Sequence, residues 1–293
     1  MSRFLDMLTS YCRTYQVSPF DRVRLLACWP FLKLRQFESH SKNKLIAGTS
    51  QKILDLLRRM TISHKVQALD GTPVRMDLSF ERANFLVFSD TFWLNEYEAP
   101  FDLSGIRTFV DIGANIGMAS LFFLMHTNKF ERGLLVEANP GLIDRIKKTL
   151  SAFLRDDKII ISNTCVFSGA GDSIKFHVSP HHTGGHVYDG KPVSEGECIE
   201  IKAIRLRQIL DRHQFQAADL LKMDIEGAEF EVLRDDPEVF KRFRYLCMEI
   251  HGHLEERKKF KERLAALGFK LSGHEQRKAH PIVEIVFGEM DKS

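Results

Sequence analysis

The chain has 293 residues, enough for one large domain or for one domain with a sizeable N-terminal extension. Apolar residues make up 44% and charged residues 28%, as in ordinary globular proteins, and the net charge of +3 argues against a general electrostatic attraction to nucleic acid. Five dispersed cysteines without a CxxC pair argue against a disulfide framework or a structural zinc site and favour a reducing cytosol.

The sequence shows no sign of a targeting or membrane-spanning segment. Asp6 stands where a signal peptide would need an apolar core. The strongest apolar run, residues 25–34, is short and is interrupted by Pro30 and Lys33. These features predict a soluble protein of the cytoplasm.

The first hundred residues form an extension to the main domain. Apolar residues recur at helical spacing and predict three helices, over 4–15, 23–37 and 45–60. Two runs with strand character, 65–69 and 73–78, flank Asp70-Gly71, a favoured hairpin turn. The aromatic-rich segment 85–101 is expected to pack between this extension and the following domain. The chain is therefore predicted to consist of a helical extension (1–61), a hairpin with its connecting segment (62–104) and a main domain (105–290).

From residue 107 onward, strand and helix patterns alternate. The predicted strands are 108–112, 133–137, 158–162, 220–224 and 245–250, and the predicted helices are 116–126, 141–154, 206–214, 228–233 and 254–267. Additional strands are expected at 174–178 and 198–204, around a loop rich in Gly and His. The last two strands, 269–272 and 282–287, leave no room for a helix and should pair antiparallel. This order predicts an α/β fold with a mostly parallel, doubly wound sheet that has a reversed strand at its edge.

The first strand of this alternation leads into a turn with little side-chain bulk, Asp111-Ile112-Gly113-Ala114-Asn115-Ile116-Gly117. In such sheets, ligands bind beyond the carboxyl ends of the strands at this position. Gly113 allows a sharp turn and a ligand against bare backbone, Gly117 lets the helix start close to the sheet, and Asn115 tolerates a left-handed conformation. The spacing differs from the GxGxxG pattern of dinucleotide sites and fits a nicotinamide-dependent enzyme poorly.

The second strand ends in Glu137, twenty residues after Gly117, followed by Ala138. A carboxylate at this position suits both hydroxyls of a ribose. A sulfonium cofactor has no phosphate, and its amino-acid end could be held by the turn backbone and by Asp111. The pattern therefore predicts that S-adenosylmethionine is bound by Asp111, Gly113, Ala114, Asn115, Gly117, Glu137 and Ala138. The alternative is an ordinary strand–helix turn with a solvated carboxylate.

Four segments occur in an order and spacing that resemble the FkbM-type methyltransferase family: residues 111–117, 136–140, 221–229 and 249–251. The most distinctive is Lys222-x-Asp224-x-Glu226-Gly227-Ala228-Glu229, and the resemblance covers roughly residues 85–290. It implies a class I, Rossmann-like methyltransferase that uses S-adenosylmethionine and mostly methylates hydroxyls of sugars, glycans or natural products. The chain departs from the family at Arg205-Leu206-Arg207, where Thr-Leu-Asp is usual.

A hydroxyl acceptor needs alignment and a group that takes its proton. We predict that Asp224 and His251, each at the end of a strand, flank the acceptor, with Glu226 as a third candidate. An imidazole with a pKa near neutral makes His251 the natural base, and Asp224 could serve as base or position the substrate or the cofactor's ammonium group. Glu229 and Glu231 are predicted to lie on the solvated face of the next helix.

Two other features allow more than one interpretation. The His-rich loop 177–186 could hold a metal, but no spacing matches a helical ligand pair, so we predict no metal and a loop that covers the acceptor, with Gly184-Gly185 as its flexible point. The basic segment 22–35, with Trp29 and Phe31, could contact an anionic membrane, although packing on the catalytic domain is the favoured interpretation.

Two alternative functions remain open. A methyltransferase of nucleic acid or protein is disfavoured because the Asn/Asp-Pro-Pro-Tyr motif and a strongly basic RNA-binding domain are missing from the sequence. A non-catalytic module that keeps the cofactor fold is disfavoured by the intact Asp111, Glu137, Asp224 and His251. A sugar or glycan acceptor is therefore the expected partner, and nucleic acid is not.

Overall fold

The computed structural model describes residues 2–26, 60–168, 172–179, 185–187, 196–273 and 282–291. They belong to two compact units, Met1–Glu96 and Tyr97–Ser293. The predicted helix 45–60 lies outside the described residues except for Met60, and the predicted helix 23–37 is described only as far as Leu26. Among the described residues, none of the helices combines the length and apolar character needed to cross a bilayer.

The first unit contains two helices, a β-hairpin and a third helix that continues into a π-helical turn. Their bounds are α1 Ser2–Thr14, α2 Pro19–Leu26, β1 Thr61–Gln67, β2 Pro73–Ser79, α3 Arg82–Phe88 and the π turn Ser89–Trp93. The predicted hairpin is confirmed, and Gly71 has the positive φ of +88° that its turn needs. Strand β1 starts earlier than predicted because Ile62 and His64 extend its alternating buried face.

The core of the first unit is largely aromatic. Phe85, Phe88 and Trp93 are almost fully buried, and their rings pack edge-on or stacked with those of Phe4, Phe80, Tyr11 and Phe92. The hydroxyl of Tyr11 lies 2.6 Å from Nε2 of buried His64 and joins α1 to β1. Burial lowers the pKa of His64 to about 4, so this ring is neutral at physiological pH.

On α2, Phe20 and Val23 are exposed beside Arg22 and Arg24. Arg22, Val23 and Arg24 belong to the basic segment considered for membrane contact, of which only 22–26 is described. The membrane interpretation therefore stays a prediction.

The second unit is built around strands that follow one another in the predicted order. Their bounds are β3 Thr108–Ile112, β4 Arg132–Glu137, β5 Ile159–Asn163, β6 Cys165–Val166, β7 Ser173–Val178, β8 His186–Val187, β9 Glu197–Ile204, β10 Ala218–Met223, β11 Phe243–His251, β12 Phe269–Gly273 and β13 Val283–Met290. The helices between them are α4 Met118–His126, α5 Ile143–Thr149, α6 Leu206–Arg212, α7 Glu229–Asp235 and α8 Leu254–Ala266.

Seven strands form one sheet in the order β12-β13-β11-β10-β3-β4-β5. The five strands from β11 to β5 are parallel, and β13 runs antiparallel to both of its neighbours. The mostly parallel α/β sheet and the antiparallel hairpin at its edge are confirmed, but within that hairpin the reversed strand β13 lies inside the sheet and β12 forms the edge, not the reverse. Strand β13 is continuously buried from Val283 to Gly288, which suits an interior position, whereas Lys270 and Ser272 of the edge strand β12 are exposed.

A smaller sheet, in the order β6-β9-β7-β8, follows the third strand of the large sheet. The strands predicted over 174–178 and 198–204 are confirmed as β7 and β9, and they pair antiparallel. Helix α5 ends at Thr149 instead of continuing to residue 154, because the chain turns at the fully buried Leu150 and forms a separate 3-10 turn, Leu154–Asp156.

Asp219 joins the amino-terminal ends of the two central strands, β10 and β3. One oxygen of its carboxylate accepts hydrogen bonds from the backbone N–H groups of Arg107, at 2.8 Å, and Thr108, at 2.9 Å. In return, the Thr108 hydroxyl oxygen accepts the backbone N–H of Asp219 at 2.9 Å. The Asp219 carboxylate thus satisfies backbone N–H groups at the start of β3, before the hydrogen bonds between β3 and its neighbouring strands begin.

We expect Asp219→Ala to lower the free energy of unfolding by about 2 kcal/mol, because it leaves two backbone donors without their acceptor. Denaturant unfolding followed by circular dichroism measures this. Asp144→Ala is the matched control: its side chain is 94% exposed and forms a single ion pair with Lys147, so the change should be within about 0.5 kcal/mol. Equal stability of the two variants would contradict the assigned role of Asp219.

Candidate active site at the carboxyl ends of the strands

The register of the parallel strands brings the predicted site segments to one edge of the sheet. Met223 lies beside both Ile112 and Met248, and Ile112 lies beside Val136. The residues that follow these positions therefore lie side by side at this edge of the sheet. They are Gly113, Glu137, Asp224 and Glu249.

Gly113 lets two strand ends approach each other closely. It has a φ of +80°, and a Cβ atom at this position would lie only 1.8 Å from the carbonyl oxygen of Asp224. The sequence predicted a ligand against this bare backbone, but the main chain after β10 fills the Cβ direction instead. A side chain at residue 113 would push Asp224 away from the first turn.

The turn backbone is held by β4. The N–H groups of Gly113 and Ala114 both donate to the carbonyl oxygen of Val136, at 2.9 and 3.1 Å. Asn115 has a φ of +51°, the left-handed conformation expected for it, and its N–H donates to Glu137 Oε2 at 2.7 Å. Gly117, at a φ of +81°, starts α4 close to α5, because a Cβ atom there would contact Ile146 at 3.5 Å.

Asp111 supports the turn from inside the protein core. Its carboxylate is fully buried, accepts a hydrogen bond from Ser120 Oγ at 2.6 Å and lies 3.2 Å from Lys222 Nζ. Lys222 also donates to the carbonyl oxygen of Gly113 at 2.6 Å. The expectation that Asp111 contacts the cofactor directly is therefore at odds with its position.

Sequence reasoning missed the role of Lys222, although a lysine inside the apolar run of β10 was the signal for it. Burial by itself would lower the pKa of Lys222, but the charges of Asp111 and Asp224 outweigh it and hold the pKa above its usual value. Lys222 is therefore a permanent cation between the first turn and the end of β10.

A cavity opens between these strand ends and the smaller sheet. Gly113, Asn115, Glu137 and Ala138 line it, as do Asp224 and Glu226, while Asp111, Ala114 and Gly117 lie outside its walls. Its apolar surface comes from side chains on both sheets and on the segment after β4, namely Val136, Leu142, Val166, Phe176 and Val187. The cavity thus joins a carboxylate on β4 to carboxylates after β10.

Glu137 is the most buried acid of this cavity. Besides the N–H of Asn115, it accepts the N–H of Asn139 at 2.8 Å, so each carboxylate oxygen keeps capacity for a further donor. Burial raises the pKa of Glu137 to about 7, against the opposing effect of these two hydrogen bonds and of the Lys222 charge.

Four carboxylates surround His251 where β11 leaves the sheet. Nδ1 lies 3.1 Å from Glu229 Oε1, whereas Nε2 lies 3.5 Å from Glu226, 3.6 Å from Glu249 and 4.0 Å from Asp224. Burial alone would lower the pKa of His251, but the hydrogen bond to Glu229 and the charges of Asp224, Glu229 and Glu226 raise it to about 10. The expected neutral base is therefore an imidazolium at physiological pH.

The prediction that Glu229 lies on a solvated helix face is wrong. Its side chain is fully buried, and its carboxylate accepts the N–H groups of Ile225, at 2.9 Å, and Gly227, at 3.0 Å. Glu226 and Gly227 have φ values of +54° and +103°, which turn these donors back toward the start of α7. Helical periodicity could not show this, because the partners of Glu229 precede the helix. Glu231 is only partly buried and pairs with Arg234.

Asp224, Glu229 and His251 present ligand atoms within 4.8 Å of one another, a spacing at which three groups can share a metal ion. Both oxygens of Glu229 are, however, already engaged by main-chain donors and by His251. In the His-rich loop, the rings of His177 and His186 pack at a tilt with their centroids 5.0 Å apart, and residues 180–184 lie outside the described ranges. The absence of a metal stays a prediction.

Comparison with solved structures gives distant similarities. A precorrin-6y C5,15-methyltransferase from Geobacter metallireducens is 14% identical, with 64% of this chain and 84% of that chain covered and a TM-score of 0.38. The methyltransferase FkbM of Methylobacillus flagellatus is also 14% identical, with 83% and 60% covered and a TM-score of 0.44. These values are too low to carry an argument about function.

Sequence comparison is more specific. A hexuronic acid methyltransferase, AglP of Haloferax volcanii, is 26% identical over 145 residues, which are 50% of this chain and 56% of that protein. The chain thus spans little more than half of this relative. Residues 111–276, more than half of the chain, match the model of the methyltransferase FkbM domain, whose members use S-adenosylmethionine as methyl donor. The resemblance noted in the sequence and the predicted class I fold are confirmed, and the chain belongs to the methyltransferase FkbM domain family.

Proposed function

We propose that this chain is an S-adenosylmethionine-dependent O-methyltransferase whose acceptor is a hydroxyl of a sugar or glycan. The proposal rests mainly on one observation: Glu137 on β4 and Asp224 after β10 line the same cavity. In a family of methyltransferases, such a cavity offers one carboxylate for the donor nucleoside and another for the acceptor.

The described residues fit the methyl donor. Glu137 would accept hydrogen bonds from the two ribose hydroxyls, because it lines the cavity and each of its oxygens accepts only one backbone hydrogen bond. Leu142, Val166 and Phe176 supply apolar surface for the adenine ring. The carboxylate of Glu226 suits the ammonium group of the methionine part. When bound, the sulfonium group supplies an electrophilic methyl carbon, whose bond to sulfur breaks as the acceptor oxygen bonds to it.

Asp224 is the group that would take the proton of the acceptor hydroxyl. Its side chain is 27% exposed and lies on the cavity wall, with one oxygen 3.9 Å from Lys222 Nζ and the other 4.0 Å from His251 Nε2. Asp224 thus offers a carboxylate on the cavity wall that can accept a proton. His251 is charged and so contributes a hydrogen-bond donor and a positive charge near the acceptor, and Glu226 lies close enough to orient a second hydroxyl.

The charge of the site supports a sugar as the substrate class. The carboxylates of Asp224, Glu226 and Glu249 can accept hydrogen bonds from several hydroxyls of one sugar, and they would repel the phosphates of a nucleic acid. A relative named as a hexuronic acid methyltransferase supports a sugar acceptor. The alternatives, a protein or nucleic-acid methyltransferase and a non-catalytic module, make different predictions for acceptor screening and for cofactor binding.

Calorimetric titration with S-adenosylhomocysteine tests the role of Glu137. We expect Glu137→Ala to weaken binding at least about tenfold, since both ribose hydroxyls lose their acceptor. With a pKa of about 7, the wild-type carboxylate is about 90% ionised at pH 8 and about 10% at pH 6, so affinity should fall about tenfold between these values. Glu137→Gln should abolish this pH dependence.

The matched control is Glu131→Gln, since Glu131 is half-exposed and pairs with Arg107 away from the cavity. It should leave both the affinity and its pH dependence unchanged. A Glu137→Ala variant that binds as tightly as wild type would contradict the assigned ribose contact, and failure of the wild type to bind would remove the enzymatic proposal.

Transfer of a labelled methyl group to a panel of neutral sugars, uronic acids, oligosaccharides, RNA and protein tests the acceptor class. We expect transfer to a sugar, and we expect Asp224→Asn to lower kcat at least about 100-fold with saturating acceptor because the amide cannot take the proton. Affinity for S-adenosylhomocysteine should change less than about threefold. Asp211→Asn, on an exposed face beside Arg242, is the control and should keep wild-type turnover. Full activity of Asp224→Asn, or transfer only to RNA or protein, would overturn the proposal.

A further inference from the structure

We propose that Glu229 is a positioning residue that locks His251 into the acceptor site as an oriented cation and thereby leaves Asp224 as the proton acceptor. This inference rests on the proposed function and assigns a role to the buried carboxylate at the start of α7. It starts from geometry: one fully buried carboxylate touches both the turn after β10 and the end of β11.

Glu229 holds three donors at once. Oε1 accepts the N–H of Ile225 and lies 3.1 Å from His251 Nδ1, while Oε2 accepts the N–H of Gly227. Both backbone donors belong to the left-handed turn that directly follows Asp224. The same side chain therefore sets the path of the chain beyond Asp224 and the position of the His251 ring.

This contact decides which ring nitrogen of His251 faces the acceptor. Because carboxylate oxygens only accept hydrogen bonds, Nδ1 must carry a proton toward Glu229. Nε2 then points into the group formed by Asp224, Glu226 and Glu249, at 3.5–4.0 Å. A neutral Nε2 would face three carboxylates with a lone pair, which is unfavourable, so the ring keeps its second proton.

The charges around the site agree with this assignment. Four carboxylates, on β11, on α7 and in the turn after β10, face the ring, and the buried Lys222 lies 3.9 Å from Asp224. The hydrogen bond to Glu229 and the charges of Asp224, Glu229 and Glu226 raise the pKa of His251 to about 10 despite its burial. A charged His251 cannot accept the hydroxyl proton, which leaves the Asp224 carboxylate, 4.0 Å away, as the group that can.

The experiment compares Glu229→Gln with Glu231→Gln, a change of the same chemistry two residues further along α7 at a partly exposed position. NMR titration of the His251 ring gives a readout that needs no acceptor. In the wild type and in Glu231→Gln, we expect the ring to be charged, with a protonated Nδ1, at pH 8. In Glu229→Gln, we expect its titration midpoint to fall by at least about one pH unit.

The kinetic readout is the pH profile of kcat. For Glu229→Gln we expect kcat to fall about 10–100-fold, its alkaline limb to move to lower pH, and the affinity for S-adenosylhomocysteine to change less than about threefold. In a His251→Asn background, Glu229→Gln should have little further effect, because the two residues act as one unit. A full, additive loss in that background would mean that Glu229 supports only the turn, and would overturn the proposal.

Two further results are decisive. A wild-type His251 ring that is neutral at pH 8 refutes the inference even if Glu229→Gln does not fold. If Mg²⁺ or Mn²⁺ added to chelator-treated wild-type protein perturbs the His251 resonances and is required for activity, the cluster binds a metal and the inference is again refuted. If no acceptor is methylated but the NMR results are as expected, the proposed function fails while the positioning role of Glu229 stands.

Discussion

The buried ion pair between Lys222 and Asp111 is the interaction on which the site depends. It places a cation from the middle of β10 beneath the turn after β3, where Lys222 also binds the carbonyl oxygen of Gly113. Removing either partner would leave an uncompensated charge in the core, which costs several kcal/mol. Because Gly113 has no side chain, the end of β10 can lie against the turn, so the pair also places Asp224 beside the first turn. The shape of the cavity and the position of the Asp224 carboxylate are thus set by one contact.

A second buried carboxylate, that of Glu229, holds the turn after β10 and the end of β11 in place. Glu229 satisfies backbone donors in the turn after β10 and binds His251 from β11, so the two strand ends are connected through an acid at the start of a helix. In both cases the groups that face a ligand are held by fully buried charges behind them. Such support fixes side chains more closely than a solvent-exposed loop can, as an alignment-dependent reaction requires. It also explains why the segment 222–229 contains charged residues in an otherwise apolar region.

Much of the fold could be predicted from the sequence. Strand and helix periods identified the central strands and their order along the chain, and short connections indicated the terminal antiparallel pair. The order of the strands across the sheet was harder to predict from the sequence, because the position of β13 between β11 and β12 depends on how completely each strand is buried. For the site, the sequence singled out Glu137, Asp224, Glu226 and His251 as candidates at or just after strand ends, and their roles stay predictions. Lys222 and Glu229 were not, because their partners lie on other strands or precede the helix.

The sequence by itself determined the residue types and their positions along the chain: glycines where the backbone must turn, and acids where strands end. It also determined the family, since motif order and spacing are properties of the linear chain. Only the tertiary structure decided the charge state of His251 and the burial of Asp111 and Glu229. Those properties depend on groups that are distant in sequence and meet at one sheet edge, where low solvent exposure strengthens every charge interaction.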